Sequence, residues 1–362
     1  MKTRHMLWGL TSVLLIIIAC GKDDLLNKDI AKSPEPQLPD TPYDYKSTNN
    51  AKATLGRVLF YEKALSLNNT VSCGSCHKQT FGFADNTAVS KGLEGLPTAR
   101  NTSSLLNDNT RRFWDNRAAD FDEAVLQPVQ NHTEMFIFDL SILPEKLGQR
   151  PYYGKLFKDA YGDEVISVER IQRALSFFLG TMNATVNIPL RYSTSPSQFT
   201  ALEHEGRKLF IGKAKCSGCH TSSTFLSGWS GESQNIGLDI EYKDNGVGTV
   251  INREHLYGSF KVPSLLNISR TAPYMHDGRF ATLREVIDHY NEGIQPHPNL
   301  AFNLRKGHYS DLPLEPGDDP SNPPPIRLGL TEHEKQALEA FLKTMVDQDI
   351  LTSPRFSDPF RN

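Results

Sequence analysis

Two stretches of the chain repeat one arrangement, Cys73-Gly-Ser-Cys76-His77 and Cys216-Ser-Gly-Cys219-His220. Cys-x-x-Cys-His is the attachment pattern of c-type haem. The spacing sets the thiols at the separation of the porphyrin vinyl groups, to which they add as thioethers. The adjacent His is carried to the iron as its proximal axial ligand. A zinc site or a dithiol redox pair is the other chemistry that such residues support. Two full copies in a chain of five cysteines favour two covalently bound haem c groups.

The fifth cysteine, Cys20, has its own setting. Lys2 and Arg4 precede an apolar stretch, Met6 to Ala19, too short to span a bilayer comfortably. It ends Ile18-Ala19-Cys20, which resembles a bacterial lipoprotein signal whose cleavage frees the Cys20 thiol for a lipid; an ordinary secretory signal is the alternative. Residues 1–19 therefore read as signal. Residues 20–50, polar and carrying Pro34, Pro36, Pro39 and Pro42, read as a tether from a membrane. Lys22-Asp23-Asp24 reads as a solvated cluster within it. The chain is expected to be exported, lipid-anchored and periplasm-facing, with no cysteine left for a disulfide. A formal net charge of −3 argues against nucleic acid as a partner.

The elements that must position the two motifs repeat as well. Gly56-Arg57-Val58-Leu59-Phe60 precedes the first and Gly206-Arg207-Lys208-Leu209-Phe210 the second. An amphipathic helix follows each motif. The earlier one, Ser167 to Phe178, has apolar residues at 168, 171, 174, 175 and 178. The later one starts at Thr331, three residues before Glu334, and puts Ala337, Leu338, Phe341, Leu342 and Met345 on one face. Strand-like alternation is scarce. The fold expected is mostly α: two tandem cytochrome c-type haem domains with long irregular loops, spanning residues 51–190 and 200–350. Pro189, Pro196 and several Ser and Thr mark the boundary between Asn187 and Phe199, and Asn303 to Gly329 reads as a loop covering part of the second domain.

Further landmarks carry a resemblance. Arg100-Asn101-Thr102, Leu105-Leu106-Asn107, Phe113-Trp114-Asp115-Asn116-Arg117-Ala118, Pro128 and Glu134-Met135 follow the first motif. Val262-Pro263-Ser264-Leu265 and Thr271-Ala272-Pro273-Tyr274-Met275-His276-Asp277-Gly278 follow the second. In this order, from Gly56 to Val346, they resemble the bacterial di-haem cytochrome c peroxidase family, which includes the MauG-type enzymes.

The resemblance implies a peroxide-reacting haem in the N-terminal half and an electron-storing haem in the C-terminal half. Many members close the first iron with a His after the motif; Ala84 to Glu94 contains none, and Leu93 stands about where it would be. An iron open to peroxide without prior reduction is then expected, with His132 the nearby histidine left over. Glu134 matches the distal glutamate that shuttles the peroxide proton, and Pro128 the proline that shapes the pocket. Where the family often has Gln, four residues before that Pro, this chain has Ala124, and Gln127 is the candidate substitute. Trp114 matches the aromatic relay between the haems. Tyr290 matches the sixth ligand of the second iron, with Met275 as rival. Asn101, with the carbonyls of Thr271 and Pro273, matches a Ca2+ site between the domains.

The activity so implied is reduction of hydrogen peroxide by electrons from a small cytochrome c or cupredoxin, in a protein whose relatives often form homodimers. A MauG-type oxidase of a partner protein and a di-haem electron carrier are the other readings.

Overall fold

In the computed structural model, which describes residues 34–38, 50–106, 111–182, 191, 194–220 and 233–361, the chain is mostly helical. Its main helices are α1 (Asn50–Tyr61), α2 (Pro151–Tyr161), α3 (Val168–Gly180), α4 (Ala201–Ile211), α5 (Leu283–Asp288), α6 (Glu332–Lys343) and α7 (Gln348–Thr352). The strands among the described residues, β1 (Ser233–Gln234) and β2 (Phe260–Lys261), form one antiparallel pair. No helix among the described residues is long and apolar enough to cross a membrane.

The repeated segments turn into matching helix pairs. α1 packs on α3 and α4 packs on α6, each pair around a glycine. A Cβ added at Gly56 would lie 1.9 Å from the Ala174 carbonyl oxygen, and one at Gly206 would lie 1.9 Å from that of Ala337. Only a bare backbone lets the helices approach so closely. One turn on, Phe60 meets Phe178 edge-on at 5.4 Å between centroids, and Phe210 meets Phe341 at 5.3 Å. The same phenylalanines face the motif histidines, Phe60 at 6.5 Å from His77 and Phe210 at 6.4 Å from His220.

Both amphipathic helices form where the sequence places them. The Ser167 side chain accepts from the Arg170 N–H, and Thr331 and Glu334 close a reciprocal capping box. Their apolar faces are buried: Ile171, Ala174, Leu175 and Phe178 in one half, Ala337, Leu338, Phe341 and Met345 in the other. The two halves hold separate apolar clusters, each with its own haem motif cysteine against it.

The 200–350 boundary does not anticipate the C-terminal segment, which leaves the second cluster. Ile350, Leu351 and Phe356 are buried in the first one. The signal, Cys20, Pro39, Pro42, Asn107 and residues 187–190 and 192–193 of the boundary lie outside the described residues.

Candidate active site

The first motif is a single helical turn, Cys73–Cys76, beneath Tyr61 at the end of α1. A side chain at Gly74 would run into the Tyr61 ring, at 2.4 Å from Cδ1. His77 Nδ1 lies 2.8 Å from the Phe83 carbonyl. The N–H therefore belongs on Nδ1, which leaves Nε2 as the metal-binding nitrogen. Burial lowers the His77 pKa, keeping the ring neutral as a ligand must be. Burial, then Cys76, pushes the Cys73 thiol up to about 12; burial takes Cys76 to about 11, against the Ser90 hydroxyl. The Glu134 carboxylate adds to both shifts, which places it within electrostatic reach of the motif.

The second motif is built alike, with Tyr309 in place of Tyr61. A Cβ at Gly218 would lie 2.8 Å from the Tyr309 hydroxyl. Tyr309 comes from the loop expected to cover this half, as do Asn303, whose amide donates to Cys219 Sγ at 3.1 Å, and Asp311, paired with Lys215 at 2.7 Å. Burial lowers His220 to about 4 and pushes Cys216 up to about 12. His220 is buried with the Pro263 backbone carbonyl as the group facing its ring, in a looser geometry than that of His77 with Phe83.

Cys219 and His220 open on a mostly apolar cavity lined by Trp114, Phe260, Leu265 and Leu342 among others. Tyr290 and Met275 line it too. Thr282 caps α5, and the helix then widens into a π-turn, His289–Gly293, that carries Tyr290. Burial, with Cys219 and Cys216, raises the phenol's pKa well above its ordinary value. Its side chain is half-buried on the cavity wall, and its hydroxyl makes no hydrogen bond to any described residue. Met275 sits in a left-handed backbone conformation, φ +74°, beside His276, which stacks on Phe260 at 3.7 Å. Among the described residues no three His, Cys, Asp or Glu side chains converge into a metal cage.

Trp114 lies on the seam between the halves and on the wall of the same cavity. Its Nε1 donates to the Asn101 carbonyl at 2.9 Å, and its own carbonyl accepts from the Lys261 N–H of β2 at 2.8 Å. Arg100 clamps the seam, donating to Asp115 at 2.5 Å and through two nitrogens to Asp244 at 2.6 and 2.9 Å. Sequence reasoning quoted Arg100 and Asp115 without giving them this role; Asp244, far off in the chain, carries no motif. Asn101, Thr271 and Pro273 also meet on the cavity wall.

Glu134, Pro128, Gln127 and His132 line a second, solvent-open pocket together with Arg117, Phe136 and Phe138. Burial raises the Glu134 pKa, and Arg117 opposes it. Gln127 does not present a free amide: its Oε1 accepts from Arg117 Nε at 3.1 Å, and its Nε2 donates to the Glu123 carbonyl at 3.0 Å. Arg117 is also bonded to Asp115 and stacked 3.5 Å from the Phe113 ring centroid. Gln127 thus anchors Arg117, a neighbour of Glu134 that the sequence showed only as part of a landmark. Ala124 is buried and contributes nothing to the pocket. His132 is exposed at the mouth. Leu93 is buried and bonded through its N–H to the Glu134 carbonyl.

Comparison with known proteins follows this geometry. Residues 50–197 match the di-haem cytochrome c peroxidase family. The methylamine utilization protein MauG of Methylorubrum extorquens is 30% identical over 300 residues, covering 81% of this chain and 78% of the relative. The cytochrome c551 peroxidase of Nitrosomonas europaea is 31% identical over 245 residues, covering 66% and 72%. The crystal structure of a MauG-like protein associated with microbial copper homeostasis superimposes with a TM-score of 0.73 at 32% identity, covering 92% of this chain and 99% of that one. The diheme peroxidase BthA from Burkholderia thailandensis shares the fold, with a TM-score of 0.66 at 21% identity over 90% of this chain and 97% of its own.

Proposed function

Because the chain belongs to the di-haem cytochrome c peroxidase family and counts MauG among its relatives, we propose that it reduces hydrogen peroxide to water with electrons from a small cytochrome c or cupredoxin. Haem c, held by Cys73, Cys76 and His77 and by Cys216, Cys219 and His220, supplies two irons that exchange electrons with peroxide and donor. The observation that carries the proposal is a half-buried carboxyl, Glu134, in an open pocket within electrostatic reach of the first motif, with no histidine between Ala84 and Glu94.

Glu134 would take the proton from one peroxide oxygen and give it to the other, so that this oxygen leaves as water. The two electrons that the cleavage consumes come from the donor protein, and with two further protons the second oxygen also leaves as water. Its raised pKa suits it to holding that proton between the two acts. Arg117 moderates the rise and is held in place by Gln127 and Asp115. Pro128 shapes the pocket wall, and Leu93 leaves no imidazole on the distal side to exclude peroxide. Trp114, bonded to both halves, is the relay between them.

Tyr290 is assigned as the sixth ligand of the second iron over Met275, because its phenol lines the cavity on which His220 opens and has no other described partner. A cation offsets the burial that raises the phenol's pKa. The oxygens of Asn101, Thr271 and Pro273 are assigned to Ca2+, a cation that takes amide and carbonyl oxygen. Cys20 is assigned as the lipid anchor that holds the protein facing the periplasm.

A second reading, oxidation of a partner protein in the manner of MauG, draws support from Tyr290 and Leu93. A pure electron carrier would have no use for Glu134. Steady-state oxidation of a reduced small cytochrome by peroxide tests the proposal: many turnovers by the wild type and few by Glu134→Gln support it, and equal rates overturn it.

A further inference from the structure

Each motif histidine faces a backbone carbonyl, His77 that of Phe83, with Nδ1 at 2.8 Å, and His220 that of Pro263. Phe83 turns its carbonyl from a left-handed conformation, φ +56°, with its side chain fully buried. A bulky residue keeps that conformation only where its surroundings over-determine it. Those surroundings include a segment far away in the chain. The Phe356 ring meets Phe83 edge-on at 6.5 Å and Phe178 at 6.3 Å.

The segment carrying Phe356 is tied down around the first motif. Tyr61, which lies over Gly74, donates its hydroxyl to the Phe356 carbonyl at 2.7 Å. Gln79, two residues after His77, donates to the carbonyls of Ile350 and Ser353 at 3.0 and 2.9 Å. Arg57 donates to the Ser357 carbonyl at 2.7 Å. The described part of the tether joins it, with the Gln37 N–H donating to the Pro359 carbonyl at 2.7 Å.

We propose that residues 350–357 form a proximal strap for the first haem, in which Phe356 is a positioning residue that holds the Phe83 carbonyl on His77. The bond draws the Nδ1 proton toward oxygen and makes the imidazole a stronger donor to iron, which lowers the potential of the first haem. The second haem, whose His220 faces the Pro263 carbonyl and not the strap, serves as an internal control. The inference rests on His77 binding the first iron.

The test uses the holoprotein, with haem counted first by the pyridine haemochromogen spectrum. Fewer than two haems per chain would overturn the premise and the inference with it. In Phe356→Ala, the iron–histidine stretch of the reduced first haem, read by resonance Raman, is expected to fall and its potential to rise. The second haem should keep its potential, and Phe356→Leu, which restores apolar bulk, should return the first haem toward wild type. If Phe356→Ala fails to fold, Gln79→Met removes two strap bonds and is expected to shift the first haem in the same direction. An unchanged stretch and potential in the folded variant, or equal shifts at both haems, would overturn the strap.

Discussion

The backbone N–H of Leu93 donates to the carbonyl of Glu134 at 2.8 Å, so the residue that the resemblance puts about where a closing histidine would be is bonded to the one proposed to handle peroxide. Leu93 is 5% exposed and offers no lone pair. Leu93→His should supply one: the first haem should turn low-spin in electron paramagnetic resonance, and peroxide should react with the diferric protein at least tenfold more slowly. A high-spin signal in the variant would show that this position does not face the iron.

Glu134→Gln keeps the shape of the side chain and removes its basicity. It should leave both haem spectra intact and slow peroxide cleavage by about 10²- to 10⁴-fold, the usual worth of a positioned acid–base group. Unchanged turnover would take Glu134 out of the mechanism.

The same carboxyl sets a pH dependence. Burial raises its pKa above the ordinary 4.5. The ionised form accepts the peroxide proton, so the rate should climb as pH rises through the raised value and lose that limb in Glu134→Gln. Stability should move the other way. The folded protein binds this proton more tightly than the unfolded chain, so the contribution is present at low pH and lost as pH rises through the folded pKa. A limb at the ordinary carboxylate value would contradict the burial seen here.

On the proposed assignment, Tyr290→Met would exchange an anionic oxygen ligand for a thioether, which favours ferrous iron. The second haem's potential should rise while the first haem's stays put, a difference that spectroelectrochemistry resolves. An unaltered second potential would hand the ligand role to Met275.

Gly206→Ala would drive a methyl group into the Ala337 carbonyl. Overpacking of this kind costs about 1–3 kcal/mol. Thermal unfolding should register the loss, and Gly56→Ala should match it through Ala174. An unperturbed melting temperature would mean that the helices can part at little cost.

Much of this was legible in the chain because the haem motifs, caps and apolar stripes are local. The spacing of Ile171, Ala174, Leu175 and Phe178 is enough to bury one face of α3. What stayed hidden depends on residues that meet across long separations. Asp244 pairs with Arg100, Phe356 packs on Phe83, and Gln127 turns to Arg117 although its place three residues after Ala124 made it the candidate substitute for the family's Gln. No local pattern encodes such meetings. Tyr290 was found through resemblance, and the π-turn that carries it has no sequence signal of its own.

The central claim is a first haem that meets peroxide without prior reduction. The most direct test mixes as-isolated diferric protein with stoichiometric hydrogen peroxide in a stopped-flow spectrometer, then adds a reduced small cytochrome. The account predicts a rapid Soret change that the cytochrome reverses, repeatedly, with one peroxide consumed for every two electrons delivered. A diferric protein that stays spectrally silent, and reacts only after half-reduction, would contradict it.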